Sequence, residues 1–509
     1  MCAVGAEAAR PALLINKPAK LDWSKYQQAV YNFVDNSKGN ALVQAVAGSG
    51  KTTTLVNALT YTYDTESVIV LAFSKPVVME LGRRVPQGVE VATSHALGLR
   101  DIRKLCGNVA VKKDRVIAFL KKALPGYKEL GDLARTISLA KNTAATSRDE
   151  ICELMAQVGV DFGAPPSNTR AVEARERELA SVIIDTLKQC QKLDGFVDFD
   201  DMIWLPTVHN MPPAFRYDRV LVDEAQDLNP LQLRQVKKIV HKQGHALVFG
   251  DQHQAIFGFR GADSNAMSDL RTAFKATELP LSVCYRCGTR IVAEAKKIVP
   301  HIESPPGQHE GMVFDDVETT MIVKSQPGDL IVSRYNSPMI RLCYKLLLAG
   351  KSAHIMGNNV GRTIGKLVKR LDPEDIGDLR RKIIEWRDAE IDRSRQHPIM
   401  RTDTIRDKAM CILALCDSVG SLSELQTRID KLFSDTVRQG SVVLSSTHRA
   451  KGMERDNVWV LHDTYPYTWA NGHGDNDEER NLYYVAITRA VNKLHIVHLD
   501  RPFRELDIK

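Results

Sequence analysis

The stretch AVAGSGKTTT, residues 45–54, follows the apolar run ALVQ and precedes a segment with helical periodicity. Its glycines allow successive backbone N–H groups to converge on phosphate oxygens, and the N-terminus of the following helix adds positive potential. In such a loop the lysine reaches the β- and γ-phosphates and the next threonine binds Mg²⁺. The stretch therefore predicts a nucleotide phosphate site, with Ala45 replacing the usual first glycine and with the contacts Ala47, Gly48, Ser49, Gly50, Lys51, Thr52 and Thr53.

A second segment, RVLVDEAQD at residues 219–227, ends an apolar strand in two acidic residues. Asp223 at the strand end suits Mg²⁺ binding, and Glu224 is placed to polarise an attacking water molecule. An acidic strand end is common by itself. Together with the phosphate loop, however, it predicts a nucleotide hydrolase site.

Composition bounds the class of protein. The 509 residues are 44% hydrophobic and 26% charged, as in globular proteins of about three domains. The net charge of +7 permits a nucleic-acid partner. We find no apolar run long enough to span a bilayer and no signal peptide in residues 1–20, so we expect a cytoplasmic or nucleoid-associated protein that is neither secreted nor membrane-bound. The nine cysteines suggest reduced thiols, and the lone CxxC pair, Cys284 and Cys287, is interpreted as structural.

Short apolar strands alternate with helical stretches from residue 40 onward, as in SVIVLAF (67–73) and HALVFGD (245–251). This alternation predicts a parallel α/β sheet, and a second group of strands beginning at GDLIVSRY (328–335) predicts another. Residues between the strands have helical period and few strand signals. The predicted organisation is a flexible tail at 1–20, a first domain at 21–100 and 196–280 with a helical insertion at 101–195, and a second domain at 281–364 and 439–509 with a short helical insertion at 365–438.

Six segments carry a resemblance to a known family. They are AGSGKT (47–52), VDEAQD (222–227), GDQHQAIFGFRGA (250–262), CYRC (284–287), THRAKGME (447–454) and NLYYVAITRA (481–490). In this order they resemble the motifs of superfamily 1 DNA helicases of the UvrD/Rep type. The resemblance implies an α/β fold of two RecA-like P-loop domains with parallel sheets, each interrupted by a helical insertion. It also implies ATP and Mg²⁺ as cofactors.

The resemblance gives roles to residues around the nucleotide. Tyr285 would stack on adenine, Glu454 would contact the ribose, and Gln27 would read the adenine edge, with Gln28 as the alternative. The family usually has Asn and Ser where this chain has Cys284 and Cys287. Arg286 and Arg489 would bring positive charge to the γ-phosphate from the second domain, so that hydrolysis depends on domain closure. The implied catalytic residues are Lys51, Glu224, Gln254, Arg286 and Arg489, and the implied metal ligands are Thr52 and Asp223.

The resemblance also implies contacts with single-stranded DNA. Phe257 and Phe259 match positions where aromatic rings stack on bases, although their shared parity would equally suit a buried strand face. Stacking tolerates any base, because every base has a π-face. The histidines among the candidates could instead be structural. The implied DNA-binding residues are Phe73, Ser74, Lys75, Thr93, His95, Phe257, Phe259, Arg260, Thr447 and His448.

We therefore expect an ATP-dependent DNA helicase or translocase that moves 3′→5′ on single-stranded DNA and acts on tailed duplexes, alongside replication or repair proteins. The polarity rests on THRAKGME (447–454), which differs from the Gln-Gly ending of the opposite-polarity branch. Two alternatives stay open: a DNA-stimulated ATPase that strips proteins from single strands with little unwinding, and a non-enzymatic scaffold. The short segment VDFDDM (197–202) also resembles a family motif, but its acids are predicted only to cap a helix.

Overall fold

The structure is a computed structural model of the chain. Its residues group into two compact units: unit 1 comprises Met1–Ile151 and Ala180–Val283, and unit 2 comprises Cys152–Leu179 and Cys284–Lys509. The unit boundaries at residues 151 and 179 fall inside two helices. The structure describes residues 23–36, 39–62, 66–127, 129–160, 169–258, 265–396, 402–417, 419–434, 440–466 and 477–500.

Unit 1 is built on a six-stranded sheet in the order β3-β2-β6-β7-β1-β8, and every neighbouring pair is parallel. Strands β4 and β5 form a separate two-stranded sheet. The predicted strands in SVIVLAF, RVLVDEA and HALVFGD are all confirmed. The strands are β1 (Ala41–Ala45), β2 (Val68–Leu71), β3 (Glu90–Ala92), β4 (Ala110–Val111), β5 (Phe196–Val197), β6 (Tyr217–Val222), β7 (Val240–Gly250) and β8 (Thr277–Leu281).

Both faces of this sheet are buried. Val43 of β1 belongs to one hydrophobic core with Leu55, whereas its neighbour Leu42 belongs to a second core with Val236. Successive side chains on a strand point to opposite faces, so helices cover both sides, as in doubly wound folds. The helices are α1 (Lys25–Asn36), α2 (Lys51–Ala58), α3 (Lys75–Gly82), α4 (Ser94–Cys106), α5 (Arg115–Ala123), α6 (Leu130–Thr143), α7 (Arg148–Val158), α8 (Thr169–Cys190), α9 (Asp201–Val208), α10 (Pro230–Ile239) and α11 (Ala266–Phe274), with 3₁₀ turns at Leu59–Tyr61, Ala225–Asp227 and Gln252–Gln254.

A buried ion cluster fixes helices α5 and α6 to the start of α9. The ammonium group of Lys141 lies 2.6 Å from Asp198 and 2.7 Å from Asp201, and Lys141 has no exposed surface. Arg115 lies 2.6 Å from the other oxygen of Asp201. The backbone N–H of Asp201 also donates to Asp198 at 2.8 Å. The acids of VDFDDM thus do more than start a helix, because they hold a buried lysine and a buried arginine.

Replacing Lys141 with methionine is expected to lower the free energy of unfolding by about 3–5 kcal/mol, because two buried carboxylates lose a cation. The matched control is Lys188→Met, which removes an exposed pair with Asp185 in α8. That change is expected to cost about 0–1 kcal/mol. Urea unfolding of both variants measures the difference, and equal losses would contradict the structural role of the cluster.

Unit 2 has a seven-stranded parallel sheet in the order β12-β11-β13-β10-β14-β15-β9. Strands are confirmed in the predicted stretches 328–335, 441–448, 457–463 and 493–499, which overlap β10, β13, β14 and β15. The strands are β9 (Met312–Val317), β10 (Leu330–Ser333), β11 (Ala353–Met356), β12 (Phe433–Ser434), β13 (Val442–Ser446), β14 (Arg455–Leu461) and β15 (Ala490–His498).

Helices inserted between strands share the core of unit 2. Leu379 and Ile412, from the inserted helices, belong to the same buried cluster as Ile331 and Leu444 of the sheet. The predicted fold class, α/β with two RecA-like parallel sheets, is confirmed. Among the described residues, no helix is both long and apolar enough to cross a membrane. The helices are α12 (Thr289–Lys296), α13 (Glu318–Lys324), α14 (Ser337–Leu348), α15 (Asn358–Leu371), α16 (Ile376–Gln396), α17 (Thr402–Cys416), α18 (Leu422–Leu432), α19 (Thr447–Ala450) and α20 (Asp477–Ile487), with a 3₁₀ turn at His462–Thr464.

Candidate functional site

The loop between β1 and α2 has the backbone of an anion site. Gly48 (φ 67°) and Gly50 (φ 72°) both adopt the left-handed conformation, which glycine enters without steric cost. Helix α2 starts at Lys51, so its first N–H groups lack partners within the helix. Ser49 is buried, and its Oγ has no hydrogen-bond partner among the described residues. A buried hydroxyl without a partner, beside these glycines and a helix N-terminus, fits the phosphates of a nucleotide.

Lys51 lies against the acidic end of β6. Its Nζ is 2.6 Å from Glu224 Oε2 and 3.7 Å from Asp223 Oδ1. Burial alone would lower the pKa of Lys51, but the two carboxylates outweigh burial and raise it. The pKa of Asp223 is raised, chiefly by its own burial. The two segments singled out in the sequence therefore meet, and the lysine stays charged.

Thr52 and Asp223 bring oxygen atoms together. Thr52 Oγ1 donates to Asp223 Oδ2 across 3.4 Å. A hydroxyl and a carboxylate are oxygen ligands of the kind that Mg²⁺ takes beside nucleotide phosphates. The donor set thus fits Mg²⁺ at this edge of the sheet.

Glu224 has a left-handed backbone conformation that could not be predicted from the sequence. Its φ of 52° and ψ of 42° lie in the left-handed region, where a residue with a side chain is strained by roughly 1–2 kcal/mol. Its carboxylate accepts a hydrogen bond from Gln226 Nε2 at 2.5 Å. Strain of this kind persists where surrounding structure enforces it, and it clusters at functional sites.

The strand end after β7 carries a second buried acid. Asp251 accepts hydrogen bonds from Gln254 Nε2 at 2.7 Å and from the His253 N–H at 3.0 Å. Burial raises the pKa of Asp251 to about 6, although the bond from Gln254 opposes the rise. The Asp251 N–H in turn donates to Gln226 Oε1 at 3.0 Å. Gln254 is therefore linked through Asp251 and Gln226 to Glu224, and sequence reasoning had not placed Asp251 or Gln226 in the site.

The two candidate glutamines of α1 differ in position. Gln27 is buried, and its Nε2 donates to Thr54 Oγ1 of α2 at 3.1 Å. Gln28 is exposed, and its amide reaches only the carbonyl of Trp23 at 3.5 Å. Gln27 thus contacts the helix that follows the phosphate loop, and its role toward adenine stays a prediction. Thr53 of the same helix accepts a hydrogen bond from Arg84 at 3.4 Å.

Within unit 2, the structure brings together the residues predicted from three separate motifs. Arg286 donates to Glu454 Oε1 at 2.7 Å and to the carbonyl of Thr488 at 3.3 Å. Arg489 is fully buried and donates to Val485 O, Met453 O and Thr488 Oγ1. Burial, reinforced by the charge of Arg286, lowers the pKa of Arg489 to about 10. Tyr285, which precedes Arg286, is 40% exposed.

Two predicted DNA-binding aromatics of unit 1 lie side by side. The rings of Phe73 and Phe257 are parallel within 3°, with centroids 6.4 Å apart. Phe73 is 40% exposed. Phe257 is partly buried, so the exposed ring available for stacking with a nucleic-acid base is that of Phe73. Phe259 and Arg260 lie outside the described residues.

The remaining candidate DNA-binding residues differ in how far they are buried. In unit 1, Lys75 is exposed, and Ser74 is the residue that precedes α3. Thr93 caps α4, where its Oγ1 accepts from the Ala96 N–H at 3.2 Å. In unit 2, Thr447 is fully buried, and its hydroxyl lies 2.7 Å from the hydroxyl of Tyr465. His448, which follows it, is partly buried.

One further exposed aromatic, Phe199, lies beside the DNA candidate His95. Phe199 is 50% exposed, and its ring lies 6.3 Å from that of His95. The Lys113 ammonium lies 6.0 Å from the Phe199 ring centroid. Burial lowers the pKa of His95. The signal was present in VDFDDM, where an aromatic stands between acids, but the sequence analysis assigned no chemistry to that segment.

Comparison with known proteins agrees with this geometry. Residues 24–275 match the profile of the UvrD/REP helicase N-terminal domain, and residues 394–501 match that of the UvrD-like helicase C-terminal domain. The chain is 29% identical to the ATP-dependent DNA helicase Rep of Escherichia coli over 315 residues, which is 54% of this chain and 43% of that protein.

Other relatives are matched over more of this chain. It is 24% identical to ATP-dependent DNA helicase UvrD2 of Mycobacterium bovis, over 89% of this chain and 75% of that protein. It is 25% identical to F-box DNA helicase 1 of Gallus gallus, over 91% of this chain and 48% of that protein. The chain spans a little under half the length of the Rep proteins it matches. The two profiles, the ordered motifs and the paired parallel sheets show that this chain belongs to the UvrD/Rep family of helicases.

Proposed function

We propose that this protein is an ATP-dependent DNA translocase that moves 3′→5′ on single-stranded DNA and separates the strands of tailed duplexes. The observation that carries the proposal is the meeting of Lys51 with Asp223 and Glu224 beside a loop of left-handed glycines. A lysine, a hydroxyl and two carboxylates at a helix N-terminus are the parts that phosphoryl transfer to water requires.

In the proposed reaction, Lys51 leaves the carboxylates and binds the β- and γ-phosphates. Mg²⁺ held at Thr52 and Asp223 would neutralise charge on those phosphates. Glu224, released from Lys51, orients the attacking water and accepts a hydrogen bond from it. The left-handed backbone of Glu224 holds the carboxylate at the end of β6, so little reorganisation is needed at the moment of reaction.

Arg286 and Arg489 are proposed to stabilise the charge that develops on the γ-phosphate. Both lie in unit 2, where Thr488 receives a hydrogen bond from each. Because the phosphate loop belongs to unit 1, hydrolysis would require both units. ATP turnover would therefore be coupled to a change in conformation, because nucleotide would bind one conformation more tightly than another.

Gln254 is proposed to relay the state of the nucleotide to DNA. Its side chain is bound to buried Asp251, and Phe257 follows it by three residues. A γ-phosphate that attracts the Gln254 amide would therefore shift the backbone that carries Phe257. Stacking of a base on the rings of Phe73 and Phe257 would therefore differ before and after ATP hydrolysis.

Phe73→Ala is expected to weaken single-stranded DNA binding by roughly 1–3 kcal/mol, the contribution of one stacked base. ATP turnover without DNA should stay close to that of the unaltered protein, because Phe73 is not among the residues proposed to bind nucleotide. Fluorescence anisotropy with labelled oligonucleotides measures the change. Phe215→Ala, which removes another exposed aromatic of unit 1, serves as the control and should leave affinity unchanged. Equal effects of the two changes would contradict a stacking role for Phe73.

The proposal as a whole is tested by ATP turnover with and without single-stranded DNA, followed by unwinding of two duplexes that differ only in tail polarity. We expect DNA to stimulate turnover and the 3′-tailed duplex to open. Efficient opening with a 5′ tail alone would overturn the polarity. Stimulated turnover with neither duplex opened would favour an ATPase that strips proteins from single strands.

A further inference from the structure

Two buried thiols flank the exposed tyrosine and the arginine of the segment CYRCG, residues 284–288. Cys284 and Cys287 are both free thiols with at most 1% of their surface exposed. The backbone bends at residues 285–287 between the two cysteines, and the Cys287 thiol lies within hydrogen-bonding reach of the Cys284 sulfur. The two sulfurs are therefore neighbours within one tight turn. These contacts lower the pKa of Cys284 to about 6, whereas its neighbour's sulfur raises the pKa of Cys287.

The thiol pair shares contacts with both proposed γ-phosphate arginines. The Cys287 sulfur lies 3.8 Å from the carbonyl oxygen of Thr488, which also accepts from Arg286 Nη1 at 3.3 Å. Thr488 Oγ1 accepts from Arg489 Nη2 at 3.1 Å. A change at the Cys287 sulfur therefore acts on the residue that both arginines bind.

The backbone around the pair is anchored at its outer ends. The Cys284 N–H donates to Glu303 O at 2.8 Å, and the Gly288 N–H donates to Val491 O at 3.0 Å. At Gly288 an added Cβ would lie 2.5 Å from the Cα of Gly311, so the backbone at this end packs closely against Gly311. Closing a ring between the two sulfurs must therefore be accommodated by the residues between them, Tyr285 and Arg286.

We propose that Cys284 and Cys287 form a reversible disulfide in the presence of a two-electron oxidant such as hydrogen peroxide, and that this disulfide turns off ATP hydrolysis by displacing Tyr285 and Arg286. The regulatory part rests on the proposed ATPase function. The disulfide itself does not.

The chemistry balances with the peroxide as the sole oxidant. The Cys284 thiolate attacks one peroxide oxygen; an S–O bond forms, the O–O bond breaks, and the departing hydroxide takes a proton to become water. The Cys287 sulfur then attacks the Cys284 sulfur, the S–S bond forms, and the S–O bond breaks. The hydroxide that leaves takes the Cys287 proton as a second water. Two thiols have lost two electrons to the peroxide, and a dithiol reductant reverses the change.

A metal-binding role is less well supported. Among the described residues, the group of His, Cys and acidic side chains with converging ligand atoms is Cys190, Asp198 and Asp201, where Lys141 already lies between the carboxylates. Cys284 and Cys287 have no third ligand of this kind within reach there. Two thiolates alone fall short of the four ligands that structural zinc takes.

The test uses the full chain, reduced, freed of reductant and then treated with hydrogen peroxide. Mass spectrometry of the peptide spanning 284–287 should show the loss of two hydrogens. DNA-stimulated ATP turnover should fall by about 10²-fold or more, since a displaced arginine forfeits much of its roughly 10³–10⁵-fold contribution. Dithiothreitol should restore both. Cys106→Ser, which removes a more exposed thiol of unit 1, should remain sensitive to peroxide.

The double variant Cys284→Ser, Cys287→Ser should hydrolyse ATP at the same rate before and after peroxide treatment. An inhibition that persists in this double variant would overturn the proposal, as would a Cys284–Cys287 disulfide that leaves turnover unchanged. Stoichiometric zinc in the purified protein would also overturn it. If the reduced protein hydrolyses no ATP, the proposed function fails, while mass spectrometry still decides whether the disulfide forms.

Discussion

Lys51→Ala is expected to abolish ATP turnover, with a loss of about 10³-fold or more, since positive charge on the γ-phosphate contributes on that scale. The structure gives the reason, because Lys51 is the cation that meets both Asp223 and Glu224 beside the phosphate loop. Steady-state phosphate release in the presence of single-stranded DNA measures the loss. Affinity for single-stranded DNA should stay within a few-fold of the unaltered protein, because Lys51 is not among the residues proposed to contact DNA.

Lys75→Ala is expected to do the opposite, weakening DNA binding while leaving DNA-free ATP turnover intact. Lys75 is an exposed lysine of the same unit, at the start of α3, and it is proposed to contact a DNA phosphate. Its loss should weaken DNA binding and lower the salt dependence of that binding, while DNA-free turnover is retained. Thermal melting of both variants establishes that each is folded. Near-normal hydrolysis by folded Lys51→Ala protein would remove the basis of the proposed site.

Arg489→Ala is expected to reduce turnover by about 10³-fold or more while nucleotide still binds, as found for arginines that act only on the transition state. Arg489 is fully buried and donates three hydrogen bonds, to Val485, Met453 and Thr488. The variant should therefore also melt at a lower temperature. Turnover measured well below that temperature, together with binding of a fluorescent ATP analogue, separates the chemical loss from the structural one.

Arg290→Ala is the matched control for the arginine. Arg290 lies in the same unit and forms an exposed ion pair with Glu310. Exposed pairs contribute about 0–1 kcal/mol, so both melting and turnover should be nearly unchanged. A folded Arg489→Ala protein with normal turnover would show that unit 2 does not supply the catalytic arginine.

Most of the fold could be predicted from the sequence because the central strands are continuous apolar runs. SVIVLAF (67–73), for example, contains β2, and NVWVLHD (457–463) covers most of β14. Several strands received no prediction, and two of them are of another kind: β9 (Met312–Val317) lies at the sheet edge with largely exposed side chains, and β12 (Phe433–Ser434) has two residues. Such strands carry little hydrophobic signal, and their pairing depends on the rest of the sheet.

The candidate site could be predicted where a motif fixes local backbone and chemistry together, as at the phosphate loop. It could not be predicted where distant residues decide the role. Lys141 resembles a surface lysine until the fold brings Asp198 and Asp201 to it across a span of 57 and 60 residues. The left-handed backbone of Glu224 has no signature in its neighbours, since glycine or asparagine would be expected there.

The strand order of unit 1 determines when its sheet can assemble during translation. β1 is complete at residue 45, yet its two neighbours in the sheet, β7 and β8, end at residues 250 and 281. At about 5–20 residues per second, a ribosome needs roughly 10–50 s to cover that distance. Until β7 is made, β1 lacks both of its native partner strands, and the phosphate loop after it lacks their support. The nascent chain therefore acquires its nucleotide site only after more than half of its residues have been translated, and every pause before residue 281 prolongs the exposure of an apolar strand.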